Sequence, residues 1–214
     1  VEFGCKKKFK INSKEYSFNS MSILSEHDYF SKYINYKNFK TIFEIGGGFG
    51  ANVQMLLQNY PNIKKVLYLD VVPNLYVGTE YLRKFYNDSV IDYFKTKDNS
   101  KITFANNDDL EIICIAPWQI ENIECKIDYF HNSHSFIEMT EVIMVNYIKY
   151  IEKLSYEKTH IALTSYTESS SAFDHQDGRH LDIINMINKN FKCKFNHFNQ
   201  NVLLSNRKLE FFYS

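Results

Sequence analysis

The stretch Thr41–Ala51, "TIFEIGGGFGA", decides how the rest of the chain is read. A β-branched and aromatic run ends at Ile45, and four glycines follow within five residues. Val53, Leu56, Leu57 and Tyr60 then recur on one helical face. The local reading is strand, turn, helix. The chain has only seven glycines, so placing Gly46, Gly47, Gly48 and Gly50 in one window signals a backbone that needs positive φ or approaches a ligand closely. The next apolar run, "KKVLYLD", closes on Asp70. Two ligand classes use a strand, a glycine turn, a helix and a later acid: dinucleotides and S-adenosylmethionine.

Spacing alone does not separate the two. Gly46, Gly48 and Ala51 fit the dinucleotide pattern, and Asp70 stands where a ribose-binding acid belongs. Glu44 tips the reading. Its carboxylate, expected at the mouth of the strand, would repel a docked pyrophosphate by roughly 3 kcal/mol per charge pair at ~6 Å and an effective dielectric of ~20. S-adenosylmethionine carries no phosphate and brings a sulfonium and an ammonium. Asp70 then accepts both ribose hydroxyls in charge-assisted hydrogen bonds, with Val71 beside it.

The surrounding pattern is α/β. Short apolar runs at Thr41–Ile45, Val66–Leu69, Ile112–Ile115, Ile127–Phe130 and Ile161–Ser165 alternate with helical stretches, one of them marked by Phe136, Met139, Ile143, Tyr147, Tyr150 and Leu154. Leu181, Ile184 and Ile187 mark a further helix. Residues 1–39 read as an N-terminal cap: a hairpin of Phe9–Ile11 and Tyr16–Phe18 around "NSKE", then a helix from about Ser22 to Tyr36. Residues 40–214 form the main domain, ending in a second hairpin whose two apolar runs flank "SNRK".

Composition limits the function classes. With 44% hydrophobic and 16% aromatic residues, the 214-residue chain can bury a full core. Lys and Arg number 25, as do Asp and Glu, so no global field recruits nucleic acid or an anionic membrane. No apolar run reaches the ~20 residues of a membrane span. Cys5, Cys114, Cys125 and Cys193 lack metal or redox spacing, the pattern of a reduced, cytoplasmic protein without a bound metal. A chain beginning at Val1 leaves room for residues upstream.

"EIGGGFGANVQMLL", "YLDVVPNL" and above all "HNSHSFIEM" at His131–Met139 resemble a family of sugar O-methyltransferases within the class I methyltransferases. The likeness runs from about residue 40 through 166 and resumes in the C-terminal "SNRKLEFFYS". It implies a Rossmann-like, doubly wound, mostly parallel seven-stranded sheet with an antiparallel C-terminal strand. It also implies S-adenosylmethionine as cofactor and methyl transfer to a hydroxyl of a sugar or sugar nucleotide, as in surface polysaccharides. The oligomeric state is left open, a homo-oligomer included.

Ligands of such sheets lie beyond the carboxyl ends of the strands. There, Glu44, Gly46, Gly47, Gly48, Asp70 and Val71 are the cofactor candidates. Pro117 and Trp118 of "APWQ" join them at the adenine, with Ile115 flanking the ring and Gln119 bonding its edge. Asn132 joins them at the methionine portion. A hydroxyl acceptor must lose its proton, and a neutral imidazole is the usual base. His134 is the first choice and His131 the second. Glu138 either shares the site or closes a capping box with Ser135. The polar segment Ser165–Leu181 offers His175, Asp177 and Arg179 to the acceptor. Competing readings are a methyltransferase acting on a non-sugar molecule and an NAD-dependent oxidoreductase. The latter calls for Tyr-x-x-x-Lys, which Tyr150 and Lys153 miss by one residue.

Overall fold

The computed structural model describes residues 8–166, 187, 191–198 and 207–213. Two short strands, β1 (Lys8–Ile11) and β2 (Lys14–Ser17), pair antiparallel through a two-residue turn. Asn12 and Ser13 both have positive φ there, as the tightest hairpins demand. Helix α1 (Phe18–Ser31) follows at once, because Ser17 is its N-cap and accepts the Ser20 amide at 3.1 Å. The helix therefore begins four residues before the expected Ser22 and takes Phe18 from the predicted strand. Tyr36 instead opens a single 3₁₀ turn.

The main sheet holds β3 (Thr41–Ile45), β4 (Lys65–Leu69), β5 (Val90–Ile91), β6 (Glu111–Ile115), β7 (Tyr129–Ser133), β8 (His160–Tyr166), β9 (Lys192–Phe198) and β10 (Arg207–Tyr213). Their spatial order is β5-β6-β4-β3-β7-β8-β10-β9. β3 to β8 are mutually parallel, and β10 runs antiparallel to both β8 and β9. The order is the doubly wound arrangement with one reversed strand near the end. Among the described residues it has eight strands, the addition to the expected seven being the two-residue edge strand β5. The hairpin partner of β10 also differs from expectation. It is β9, whereas the run Val202–Leu204 lies outside the described residues.

Side chains of the central strands alternate between two cores. Ile42, Val66, Tyr68, Ile112, Cys114 and Tyr129 face one side, with Phe30 of α1, Val53 and Leu56 of α2 (Ala51–Asn59), and Leu75 and Leu82 of α3 (Asn74–Tyr86). Phe43, Ile45, Leu67, Ile113, Ile115, Phe130 and Ile161 face the other, with Met144, Tyr147, Ile148, Ile151 and Leu154 of α5 (Glu141–Leu154). Burial on both faces is what the unbroken apolar runs require. Helix α3 and the one-turn α4 (Tyr93–Thr96) complete the described helices.

Two expected boundaries shift. Strand β7 starts at Tyr129, not Ile127, and continues through His131, Asn132 and Ser133, because β8 supplies backbone partners as far as Ser133 and β3 as far as His131. The predicted stripe from Phe136 is broken. Phe136–Glu138 form a 3₁₀ turn, Thr140 is extended, and α5 begins at Glu141. Ile143 then falls on the outer face, 47% exposed, while Met144 enters the core.

Candidate active site

The carboxyl ends of β3, β4 and β7 meet at the glycine turn. Gly46 takes φ +70°, and a side chain there would fall inside Ser135. Its amide donates to the Leu69 carbonyl at 2.8 Å, tying the turn to the end of β4. Gly48, at φ +60°, faces open space: a Cβ there would meet nothing within 4 Å. The glycines thus divide the work. Gly47 and Gly50 yield to Tyr68 and Leu82, so packing explains more of the cluster than the sequence reading allows. The open face at Gly48 is where a ligand can lie against bare backbone.

Asp70 is oriented toward that face. Oδ2 accepts the Gly48 amide at 2.7 Å, and Oδ1 accepts the Val71 amide at 2.7 Å. Burial pushes its carboxyl above the ordinary range, and these amide donors oppose the shift. The Asn74 side chain also bonds the carboxylate, and these three donors fix the group without exhausting its roughly four acceptor directions. Val71 is 55% exposed at the rim. Leu69 pairs with Ile115, which brings the residues after β6 alongside. Pro117 opens a 3₁₀ turn there, and Trp118, 59% exposed, meets the Tyr93 ring edge-on at 5.8 Å.

Other candidates lie elsewhere than expected. Gln119 does not offer its amide to a ligand: Oε1 accepts the Ala116 amide at 2.9 Å, and Nε2 donates to Thr96. Ile115 is wholly buried in the core and flanks nothing at the surface. Glu44 does not stand open at the mouth. It lies beneath the turn, 4% exposed, with Oε2 accepting from Asn52 Nδ2 at 2.9 Å and Oε1 3.5 Å from His131 Nδ1. Burial disfavours the charged form of His131, yet the Glu44 carboxylate outweighs it and the imidazole titrates above its ordinary value. The charge of Glu44 is therefore shared internally, and its repulsion of a phosphate is weaker than the sequence argument assumes.

The end of β7 and the segment after it fold inward. Asn132 donates through Nδ2 to the Ile45 carbonyl at 2.8 Å and to Ser135 Oγ, and Oδ1 accepts the Phe136 amide at 3.3 Å. Ser135 thus turns to the glycine loop instead of closing a capping box. Glu138 is exposed, and Thr140, without a side-chain cap bond, precedes α5. His134 holds a left-handed backbone, φ +69°, and its amide donates to the Thr164 carbonyl at 2.8 Å. The structure thus brings Gly46, Gly48, Asp70, Asn132 and His134 to one edge. His175, Asp177 and Arg179 lie outside the described residues.

Sequence reasoning missed two groups. Asn52, the first-turn residue that holds Glu44, carries no sequence signal. Glu26 carries one: it falls four residues from both Ser22 and Phe30 on the buried face of α1, where a carboxylate is out of place. Among the described residues no group of His, Cys, Asp and Glu is arranged to hold a metal ion, and no helix is long and apolar enough to cross a membrane.

Several solved structures that share this architecture are methyltransferases. The sequence of residues 6–95 matches an O-methyltransferase domain family. Comparison with curated proteins gives no sequence match. Among solved structures, the N-methyltransferase NodS of Bradyrhizobium japonicum WM9 in complex with S-adenosyl-L-homocysteine superposes with a TM-score of 0.61 at 12% identity, over 92% of this chain and 87% of that one. The pyocyanin biosynthetic protein PhzM gives 0.61 and the mitomycin 7-O-methyltransferase MmcR 0.59, each at 12% identity over 91% of this chain. The chain spans 55% of the length of PhzM and of MmcR. At these identities the shared property is the fold, the Rossmann-like fold of class I methyltransferases.

Proposed function

We propose that the protein is an S-adenosylmethionine-dependent O-methyltransferase whose acceptor is a hydroxyl of a sugar or sugar derivative. The observation that carries the cofactor is the pairing of the open Gly48 backbone with Asp70, at the carboxyl edge of a sheet whose strand β10 is reversed. The residues fit the group. Asp70 takes the ribose hydroxyls, Gly46–Gly48 take the amino-acid portion against bare backbone, and Val71, Pro117 and Trp118 form an apolar rim for the adenine. Oxygen as the methylated atom is supported by the O-methyltransferase match over residues 6–95. The sugar is supported by the likeness of His131–Met139 to sugar O-methyltransferases.

Bound there, S-adenosylmethionine supplies a methyl group on a sulfonium, so that the acceptor oxygen forms an O–C bond as the C–S bond breaks and its electron pair stays on sulfur. The chain's own part is to place the acceptor oxygen in line and to remove its proton. His134 is the base in this reading. His131 is held beneath the turn by Glu44 and Asn52, whereas His134 stands in the loop beyond β7.

Parallel calorimetric titrations with S-adenosylhomocysteine and NADH test the cofactor, with binding of the former alone expected. Transfer of tritiated methyl from S-adenosylmethionine to a panel of methyl glycosides then tests the acceptor. Tight binding of NADH without S-adenosylhomocysteine would sink the proposal.

A further inference from the structure

The two imidazoles of the "HNSH" segment each face a carboxylate. His131 faces Glu44, from the neighbouring strand. His134 faces Glu26, which arrives from the N-terminal helix more than a hundred residues away in sequence. Glu26 is 6% exposed and sits over the carboxyl ends of β7 and β8. Its Oε2 accepts from Ser133 Oγ at 3.1 Å and from Thr164 Oγ1 at 3.3 Å, and its Oε1 lies 3.7 Å from His134 Nε2. The His134 amide closes the ring by donating to the Thr164 carbonyl. Four side chains from three elements therefore fix one loop conformation, including a left-handed histidine that costs about 1–2 kcal/mol in isolation.

A hydrogen-bond acceptor alone would not need a charge here. Glutamine presents the same oxygen to Ser133 and Thr164 without the desolvation cost of a buried carboxylate, which amounts to several kcal/mol. What glutamate adds is negative charge beside an imidazole. We propose that Glu26 is the positioning residue of the catalytic imidazole: it orients the His134 ring and balances the positive charge the ring gains when it takes the acceptor's hydroxyl proton. This rests on the methyltransferase reading in assigning His134 its proton. The N-terminal helix is then part of the active site, not only a cover for the core.

Two measurements that need no acceptor test the pairing. The first is selective 15N labelling of the histidines, with the His134 ring read by NMR at pH 8 in the full chain and in Glu26→Gln. With the carboxylate facing Nε2, the Nε2–H tautomer should predominate in the parent and its ratio to the other tautomer should fall by about fivefold in the variant, with His160 as an unchanged internal control. Equal tautomer ratios at His134 in the two proteins overturn the proposal. The second is a thermal double-mutant cycle of Glu26→Gln and His134→Asn. The melting shift caused by Glu26→Gln should differ by about 2 °C or more between the two backgrounds. An identical shift in both makes Glu26 a structural acceptor and overturns the pairing, even if the Gln variant is too weakly folded for NMR. Calorimetry with S-adenosylhomocysteine on the same samples separates the two claims. Failure of the parent protein to bind it removes the methyltransferase reading, while the tautomer ratio and the cycle still decide the pairing.

Discussion

The glycine turn with the end of β4, and the segment that leaves β7, sit side by side and are built on different principles. In the first, the backbone does the work: positive φ at Gly46 and Gly48, amides aimed at one carboxylate, and an open face where a side chain is missing. In the second, side chains do it. Asn132, Ser133, His134 and Ser135 are each held by groups distant in sequence, and the only positive φ there belongs to a histidine. The contrast teaches where a sequence speaks plainly. A backbone constraint selects glycine and is visible in one window, whereas a side-chain network draws on residues that no local pattern joins.

The largest expected effect lies where the two regions touch. Gly46→Ala adds a Cβ inside Ser135 and forces an L-residue into a left-handed conformation, so it should cost about 3 kcal/mol or more of unfolding free energy and abolish binding of S-adenosylhomocysteine. Chemical denaturation and calorimetry read the two losses, and a fully stable alanine variant would show that the regions are not interlocked. Next, Asp70→Ala should weaken S-adenosylhomocysteine by about 1.5–3 kcal/mol, the scale of lost charged hydrogen bonds. Unchanged affinity would take Asp70 out of the site. Asn132→Ala removes bonds to the Ile45 carbonyl and the Phe136 amide and should cost about 1–2 kcal/mol of stability. Loss of cofactor affinity in that variant would show the second region supporting the first.

The smallest effect is one of slope. His131 titrates above its unfolded value, so its pairing with Glu44 contributes fully below about pH 6.5 and is lost as pH rises through the folded value. The melting temperature should carry a decline above that pH which His131→Asn lacks. A parallel pH profile in the variant would mean that the pair stores no proton-linked stability.

Most of the architecture was legible because it rests on burial. Runs such as Val66–Leu69 and Ile112–Ile115 are apolar throughout, as strands sandwiched between helices must be, and they fall where the strands do. Boundaries failed where polar groups decide. "HNS" reads as a loop but continues β7, since β8 pairs with its backbone, and Ser17 starts α1 early by capping it. In the candidate site, the tight glycine turn and the acid that closes β4 were legible as local structure. The inward turn of Glu44 was not, because it depends on Asn52 and on a histidine 87 residues later. The capping box at Ser135 and Glu138 was a sound local inference overridden by Asn132, which takes the serine hydroxyl first.

That exchange has a mechanical meaning. Asn132 and Ser135 fasten the end of β7 to the strand end that carries the glycine loop, so neither can move without pulling the other. Whatever loosens the end of β7 must also slacken the glycine loop, and a larger side chain at position 46 demands a smaller one at position 135.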